Sequence, residues 1–193
     1  EGEGWVTAEY SMLPRANRER SRRDISKLKL SGGSAEIQRV IGRSLRSVVD
    51  RKKLGPWNIT IDCDVLQGDG GTRTASITGG YVALVLALHK MEQSGQLKEW
   101  PVKSSVAAVS AGVVSGIPML DLCYEEDSSA QVDFNCVMDG QGCLIEVQGT
   151  GEGRPFTFEE QQKLLELCAE GIRELQAIQQ RVLKEVHESG AGI

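Results

Sequence analysis

Two kinds of hydrophobic spacing alternate along the chain, and the points where one gives way to the other mark its elements. From Trp5 to Met12 the period is two, with Trp5, Thr7 and Glu9 on one side and Val6, Ala8 and Tyr10 on the other. That predicts a half-buried strand, ended by Pro14. Ser31-Gly-Gly-Ser34 reads as a break, after which Ile37, Val40, Ile41, Leu45, Val48 and Val49 recur at helical spacing through Asp50. A helix capped by the Ser34 hydroxyl is expected there. Leu54-Gly-Pro-Trp57 turns into a β-type run over 57–66. From Ala75 to Gln93 the chain is apolar on nearly every face until Lys90, which predicts a helix buried between layers. Residues 105–114 and 119–124 read as a hairpin about Ser115-Gly-Ile-Pro118, and 131–138 and 143–148 as another about Asp139-Gly-Gln-Gly142. Thr157-Phe-Glu-Glu160 has capping-box spacing, and Leu164, Cys168, Ile172, Leu175, Ile178, Val182 and Val186 carry one apolar stripe onward. Hairpins and helices do not strictly alternate. The expected class is therefore α+β, a mixed β-sheet backed by helices, as a single domain over 1–193 with a packing helix from about 157.

Composition narrows this picture. Aromatic residues make up 5% of the chain, so the core must be aliphatic. A net charge of −5 argues against a general polyanion binder. The charge is uneven, however: Pro14–Lys29 holds Arg15, Arg18, Arg20, Arg22, Arg23, Lys27 and Lys29 against only Glu19 and Asp24. Such a run is either a solvated loop or a phosphate-contacting one. Five cysteines show neither CxxC pairing nor nearby histidines, which excludes zinc spacing. Buried free thiols in a reducing compartment are expected, hence a cytoplasmic protein. No stretch reaches membrane-spanning length, so no membrane partner is expected.

Two places carry candidate chemistry. In the first, the β-type run feeds Gly68-Asp-Gly-Gly71, then Thr72, Arg73 and Thr74 at the start of the long helix. A strand, a glycine turn, an arginine and a helix start describe a phosphate cradle, because unpaired amides and a permanent cation suit an anion. They also describe a tight turn with a threonine cap and a surface arginine. In the second, Glu125, Glu126, Asp127 and Asp133 cluster where one strand is expected to end and another to begin. Such carboxylates can hold Mg²⁺ or move a proton, or they can simply form an acidic hairpin shoulder.

The segment Asp64–Leu84, DVLQGDGGTRTASITGGYVAL, resembles the signature of the ribonuclease PH family of phosphorolytic exoribonucleases. Gly4–Arg15, Glu36–Arg43, Asp121–Asn135 and Glu146–Thr150 resemble the same family in the same order. Nearly the whole chain is covered, beginning inside the family's domain after its first N-terminal strands. The resemblance implies a ribosomal protein S5 domain 2-like fold. It also implies trimming of tRNA 3′ ends with inorganic phosphate as co-substrate and Mg²⁺ as cofactor, releasing nucleoside 5′-diphosphates. Gly71, Thr72, Arg73 and Thr74 would bind the phosphate. Asp127 and Asp133 match the family's catalytic and metal-binding aspartates, with Asp133 mainly for Mg²⁺ and Asp127 mainly for the proton. Arg15, Arg18, Arg20, Arg22 and Arg23 lie in the loop that family members use to grip tRNA and to meet neighbouring subunits, so a homo-oligomer, a hexamer built as a trimer of dimers, is expected. One departure matters: Gly33 stands where the family has a second phosphate-binding arginine. The alternative expectation is therefore a weak or inactive RNA-binding ring subunit of an exosome-like assembly.

Overall fold

The computed structural model describes residues 2–21 and 32–189. Its elements, in chain order, are β1 (Trp5–Met12), α1 (Gly32–Ser47), α2 (Arg51–Leu54), β2 (Asn58–Val65), α3 (Thr72–Gln93), β3 (Val106–Val114), β4 (Ile117–Leu120), α4 (Tyr124–Ser129), β5 (Val132–Asp139), β6 (Leu144–Thr150) and α5 (Phe158–Ser189). β1 and β2 form a parallel pair. The remaining strands make an antiparallel sheet in the order β4-β3-β5-β6. The α+β class is borne out.

The strand alternation in β1 is realised as read. Val6, Ala8 and Tyr10 are buried, while Trp5, Thr7 and Glu9 face outward. α1 packs antiparallel across β1, with Gly42 beside Thr7 and Ala8 and the Arg46 guanidinium donating to the Val6 carbonyl at 2.7 Å. The second sheet is covered on both faces. Val106, Ala108 and Val137 join β1, α1 and α3 in one apolar cluster. Ala107, Val109, Ala111, Phe134 and Cys136 join Leu164, Cys168 and Ile172 of α5 in the other. β3 is thus buried on both sides, as its unbroken apolar run requires.

Several expectations need correction. Gly32 and Gly33 are helical, so Ser34 lies inside α1 and does not cap it. Residues expected to extend the first hairpin to Tyr124 instead leave β4 at Leu120, and the acidic cluster opens the short helix α4. α3 is open along Ala75, Gly79 and Ala83, which border a groove of about 460 Å³ beside β2. The cysteines are free as expected, but Cys143 is exposed and only Cys136 and Cys168 are fully buried. The capping box at Thr157 and Glu160 forms, with reciprocal bonds of 3.0 and 3.2 Å. Beyond Ile172 the stripe on α5 rotates: Ile178 is exposed, while Gln176 and Gln179 turn inward. Their amides donate to the carbonyls of Asp139, Thr78 and Val106, which fixes the helix against both α3 and the sheet. Among the described residues no helix is long and apolar enough to cross a membrane.

Candidate active site

The face of the second sheet that meets α3 changes character along the strands. β3 offers Val106 and Ala108, then Ser110 and Gly112. Register carries the change across the sheet, since Asn135 stands opposite both Ser110 and Gln148, and Asp133 opposite both Gly112 and Thr150. Two polar rows therefore continue an apolar floor, and the N-terminus of α3 comes down on them.

Local chemistry dictates that landing. Gly71 caps α3 in the left-handed region at φ 73°. A Cβ there would stand 2.9 Å from the Ser110 hydroxyl, so the close approach needs glycine as much as the dihedral does. The threonine cap of the alternative reading is absent. A glycine cap brings no side-chain acceptor, which leaves the first-turn amides free for an anion. The hydroxyls of this turn are spoken for. Thr74 is buried and donates to the Gly71 carbonyl at 2.9 Å, Ser76 donates to the Thr72 carbonyl at 2.8 Å, and the Thr72 hydroxyl shares a 2.8 Å bond with Tyr10. Thr74 retains only its amide for an anion, whereas Thr72 retains its amide and, with Tyr10 as the donor of their shared bond, its hydroxyl proton.

Arg73 reaches over the sheet to hydrogen-bond Gln148. Asp133 is half-buried beneath it and accepts from the Asn135 amide at 3.2 Å. Burial, the Asp127 carboxylate and Glu152 push the Asp133 carboxyl above its usual range, against the pull of Arg73 and Asn135. The predicted phosphate-binding and acidic residues are thus brought together, although α3 and α4 are far apart in sequence. Among the described residues no cluster of three or more His, Cys, Asp or Glu forms a metal cage. Asp133 with the nearby Asp127 carboxylate is a donor pair that suits Mg²⁺, which keeps several waters and takes phosphate oxygens.

The basic loop begins beside this site. The Ala16 carbonyl accepts from Gly68, the first residue of the glycine turn, at 2.7 Å. Arg15, Arg18 and Arg20 are exposed, and Arg18 pairs with Glu125 of α4 at 3.1 Å. Arg22 and Arg23 lie outside the described residues. Sequence reasoning missed Tyr10, Ser110, Asn135, Gln148 and Glu152 as members of the site. The family-like segments at Gly4–Arg15, Asp121–Asn135 and Glu146–Thr150 contain three of them, Tyr10, Asn135 and Gln148, and were the available signal.

Known proteins match this arrangement. Residues 1–89 match the 3′ exoribonuclease family, domain 1, and residues 104–171 match domain 2 of the same family. Ribonuclease PH of Syntrophomonas wolfei is 56% identical over 182 residues, covering 94% of this chain and 76% of that protein. The chain belongs to the ribonuclease PH family. Ribonuclease PH of Moorella thermoacetica is 55% identical over 185 residues, 96% of this chain and 74% of its own length. An Archaeoglobus fulgidus exosome structure with RNA bound to the active site shares the fold at a TM-score of 0.71 and 20% identity, over 91% of this chain and 70% of that one. The S5 domain 2-like expectation stands. The ribonuclease PH signature residues from Gly70 to Arg73 are the ones that seat α3 on the sheet.

Asp133 generates a prediction about stability. A carboxyl whose folded pKa is raised costs stability once the pH climbs through that value, and costs nothing below the unfolded pKa, where both states are protonated. Without Mg²⁺, Asp133→Asn is expected to unfold at higher urea than the parent at neutral pH. The difference should close as the pH falls through the carboxylate range. A gap that persists in acid would show that Asp133 carries no electrostatic cost.

Proposed function

We propose that the chain is a phosphate-dependent 3′–5′ exoribonuclease that trims RNA 3′ ends, those of tRNA among them, and releases nucleoside 5′-diphosphates. The observation that carries this reading is Arg73, on a helix start without a side-chain cap, facing Asp133 with Asp127 close by. Inorganic phosphate seated on the amides from Gly71 to Thr74 and on Arg73 attacks the phosphorus of the last phosphodiester. The bond from that phosphorus to the 3′-oxygen of the preceding nucleotide breaks, and the diphosphate forms. The leaving oxygen takes a proton, for which Asp127 is the donor. Two anions must meet, so charge neutralisation is the dominant requirement, and Arg73 with the α3 N-terminus supplies it from the protein. Asp133, with support from Asp127, would hold Mg²⁺, which when bound adds Lewis-acid stabilisation of the phosphoryl oxygens. Arg15, Arg18 and Arg20 suit contacts to the RNA backbone, which position a strand without reading its sequence. A hydrolase, whose nucleophile is water, would need a site for the scissile phosphate but none for a second, inorganic one.

Arg73→Ala is expected to lower diphosphate release about a hundredfold or more while leaving the fold intact, because the side chain holds an anion and not the core. Diphosphate release measured against phosphate concentration checks it, and an unchanged phosphate requirement would remove Arg73 from the site.

Gly33 favours a second reading, the catalytically weak ring subunit. α1 runs antiparallel to β1, which puts its N-terminal end on the side where Tyr10 meets Thr72. An arginine at that end would face the same anion. Gly33→Arg is therefore expected to lower the half-saturating phosphate concentration with little change in RNA binding. No change would move the weak-subunit reading ahead.

The hexamer rests on the family resemblance. Light scattering at micromolar concentration is expected to show a species of about six chains, and a monomer alone would overturn it.

A further inference from the structure

Asp69 stands between the two halves of the site. Its Oδ1 accepts from the Gly70 amide at 2.9 Å and from the Tyr124 amide at 2.5 Å. Gly70 belongs to the glycine turn that precedes α3, and Tyr124 is the first residue of α4, which carries Asp127. One carboxylate oxygen thus joins the phosphate cradle to the acidic helix.

The surroundings make this joint matter. α4 spans 6 residues and buries none of them, so packing does not fix its position. A helix that short has little stability of its own and takes its placement from its anchors. Arg18 of the basic loop pairs with Glu125 at 3.1 Å in an exposed contact, and the other anchors cluster on the same few residues. The Asp121 amide donates to the Ser110 carbonyl at 2.7 Å, with Asp121 itself at φ 55°, and Glu126 accepts from the Cys123 amide at 2.9 Å. The Gly70 backbone lies so close to this segment that a Cβ would stand 1.9 Å from the Leu122 carbonyl oxygen. Of these contacts, only the Asp69 carboxylate bonds the turn and the helix at once through a side chain.

We propose that Asp69 is a positioning residue that fixes α4, and with it Asp127, relative to the N-terminus of α3, so that the phosphate-binding turn and the acidic helix form as one unit. The inference deepens the phosphorolytic reading and rests on it. Its consequence is coupling: loosening the joint raises the phosphate and Mg²⁺ requirements together, which two independent sites would not do. The position needs an acceptor oxygen, and the negative charge only strengthens the two bonds.

Three variants of the full chain test this. Asp69→Ala removes the acceptor, while Asp69→Asn keeps an oxygen in its place. Tyr124→Pro removes the donor from the other end. It does so at a first helical position, which suits proline, after a Cys123 already extended at φ −71° and ψ 170°. The Tyr124 side chain is exposed, so its loss adds little. The readouts are the half-saturating phosphate and Mg²⁺ concentrations for diphosphate release, and hydrogen exchange of the α4 amides without substrate. Asp69→Ala and Tyr124→Pro are each expected to raise both requirements about tenfold and to speed exchange across α4 by a similar factor. Asp69→Asn should stay within about threefold of the parent. The double variant Asp69→Ala/Tyr124→Pro should be no worse than Asp69→Ala alone, because Asp69→Ala already removes the Tyr124 bond along with the one to Gly70. Unchanged α4 exchange, a rise in the phosphate requirement alone, an Asn variant as poor as Ala, or additive effects would each overturn the proposal. If Asp69→Ala does not fold, Tyr124→Pro carries the same comparison against Asp69→Asn. If the parent releases no diphosphate, the phosphorolytic reading fails, and the exchange measurement still decides whether Asp69 places α4.

Discussion

A methyl group at Gly70 would stand 1.9 Å from the Leu122 carbonyl, and one at Gly71 would stand 2.9 Å from the Ser110 hydroxyl. Backbone pressed this closely against backbone and strand is the constraint on which the site depends. It brings the start of α3 onto β3, which in turn carries Arg73 over β5 and β6. Any larger residue in the turn lifts the helix end away, and the amides, the guanidinium and the carboxylates then no longer share one volume. The sheet accepts the landing because its register turns the α3-facing side from Val106 and Ala108 to Ser110 and Gly112 at the right depth.

The electrostatics follow from that placement. Arg73 lies against a half-buried Asp133 whose carboxyl is already pushed toward its neutral form by burial and by Asp127. The protein thus holds one cation among several carboxylates, a balance that favours binding a further cation and an anion together. Neither carboxylate is fixed by a dedicated cage. Asp133 sits on a central strand whose opposite face is fully buried, and Asp127 on a short helix with no buried residue. The two halves of the acidic pair therefore differ in rigidity by construction.

Much of the fold was legible in the sequence, for identifiable reasons. β1 alternates cleanly because one of its sides packs on α1, and the capping box of α5 is a local motif that needs no tertiary partner. Other features were hidden by chemistry that periodicity does not score. On α5 two glutamines replace apolar residues on the inner face and bond carbonyls, so the stripe through Ile178 misleads. α4 has only 6 residues, too few for a helical period to emerge from an acidic run. At the site, Gly71 and Arg73 were legible as a local motif, and the pairing of Asp127 with Asp133 came from family resemblance. The row Ser110, Asn135 and Gln148 was not legible, since it exists only through strand register.

That register has a guard. The β5–β6 ladder is regular from Asp133 to Val137 and shifts between Val137 and Met138, before the turn at Asp139–Gly142. Pairing at the bulge absorbs one extra residue, and the turn lies on its far side from Asn135 and Gln148. The hairpin tip is thereby uncoupled from the chemistry. Over evolutionary time, residues can be gained or lost at the tip without moving Gln148 off Asn135, whereas a single insertion between Asp133 and Val137 would break the alternation of β5 and leave Asp133 on the opposite face from those β5 residues beyond the insertion that now share its face. The segment free to drift and the segment that cannot are neighbours on one hairpin, separated by a single irregularity.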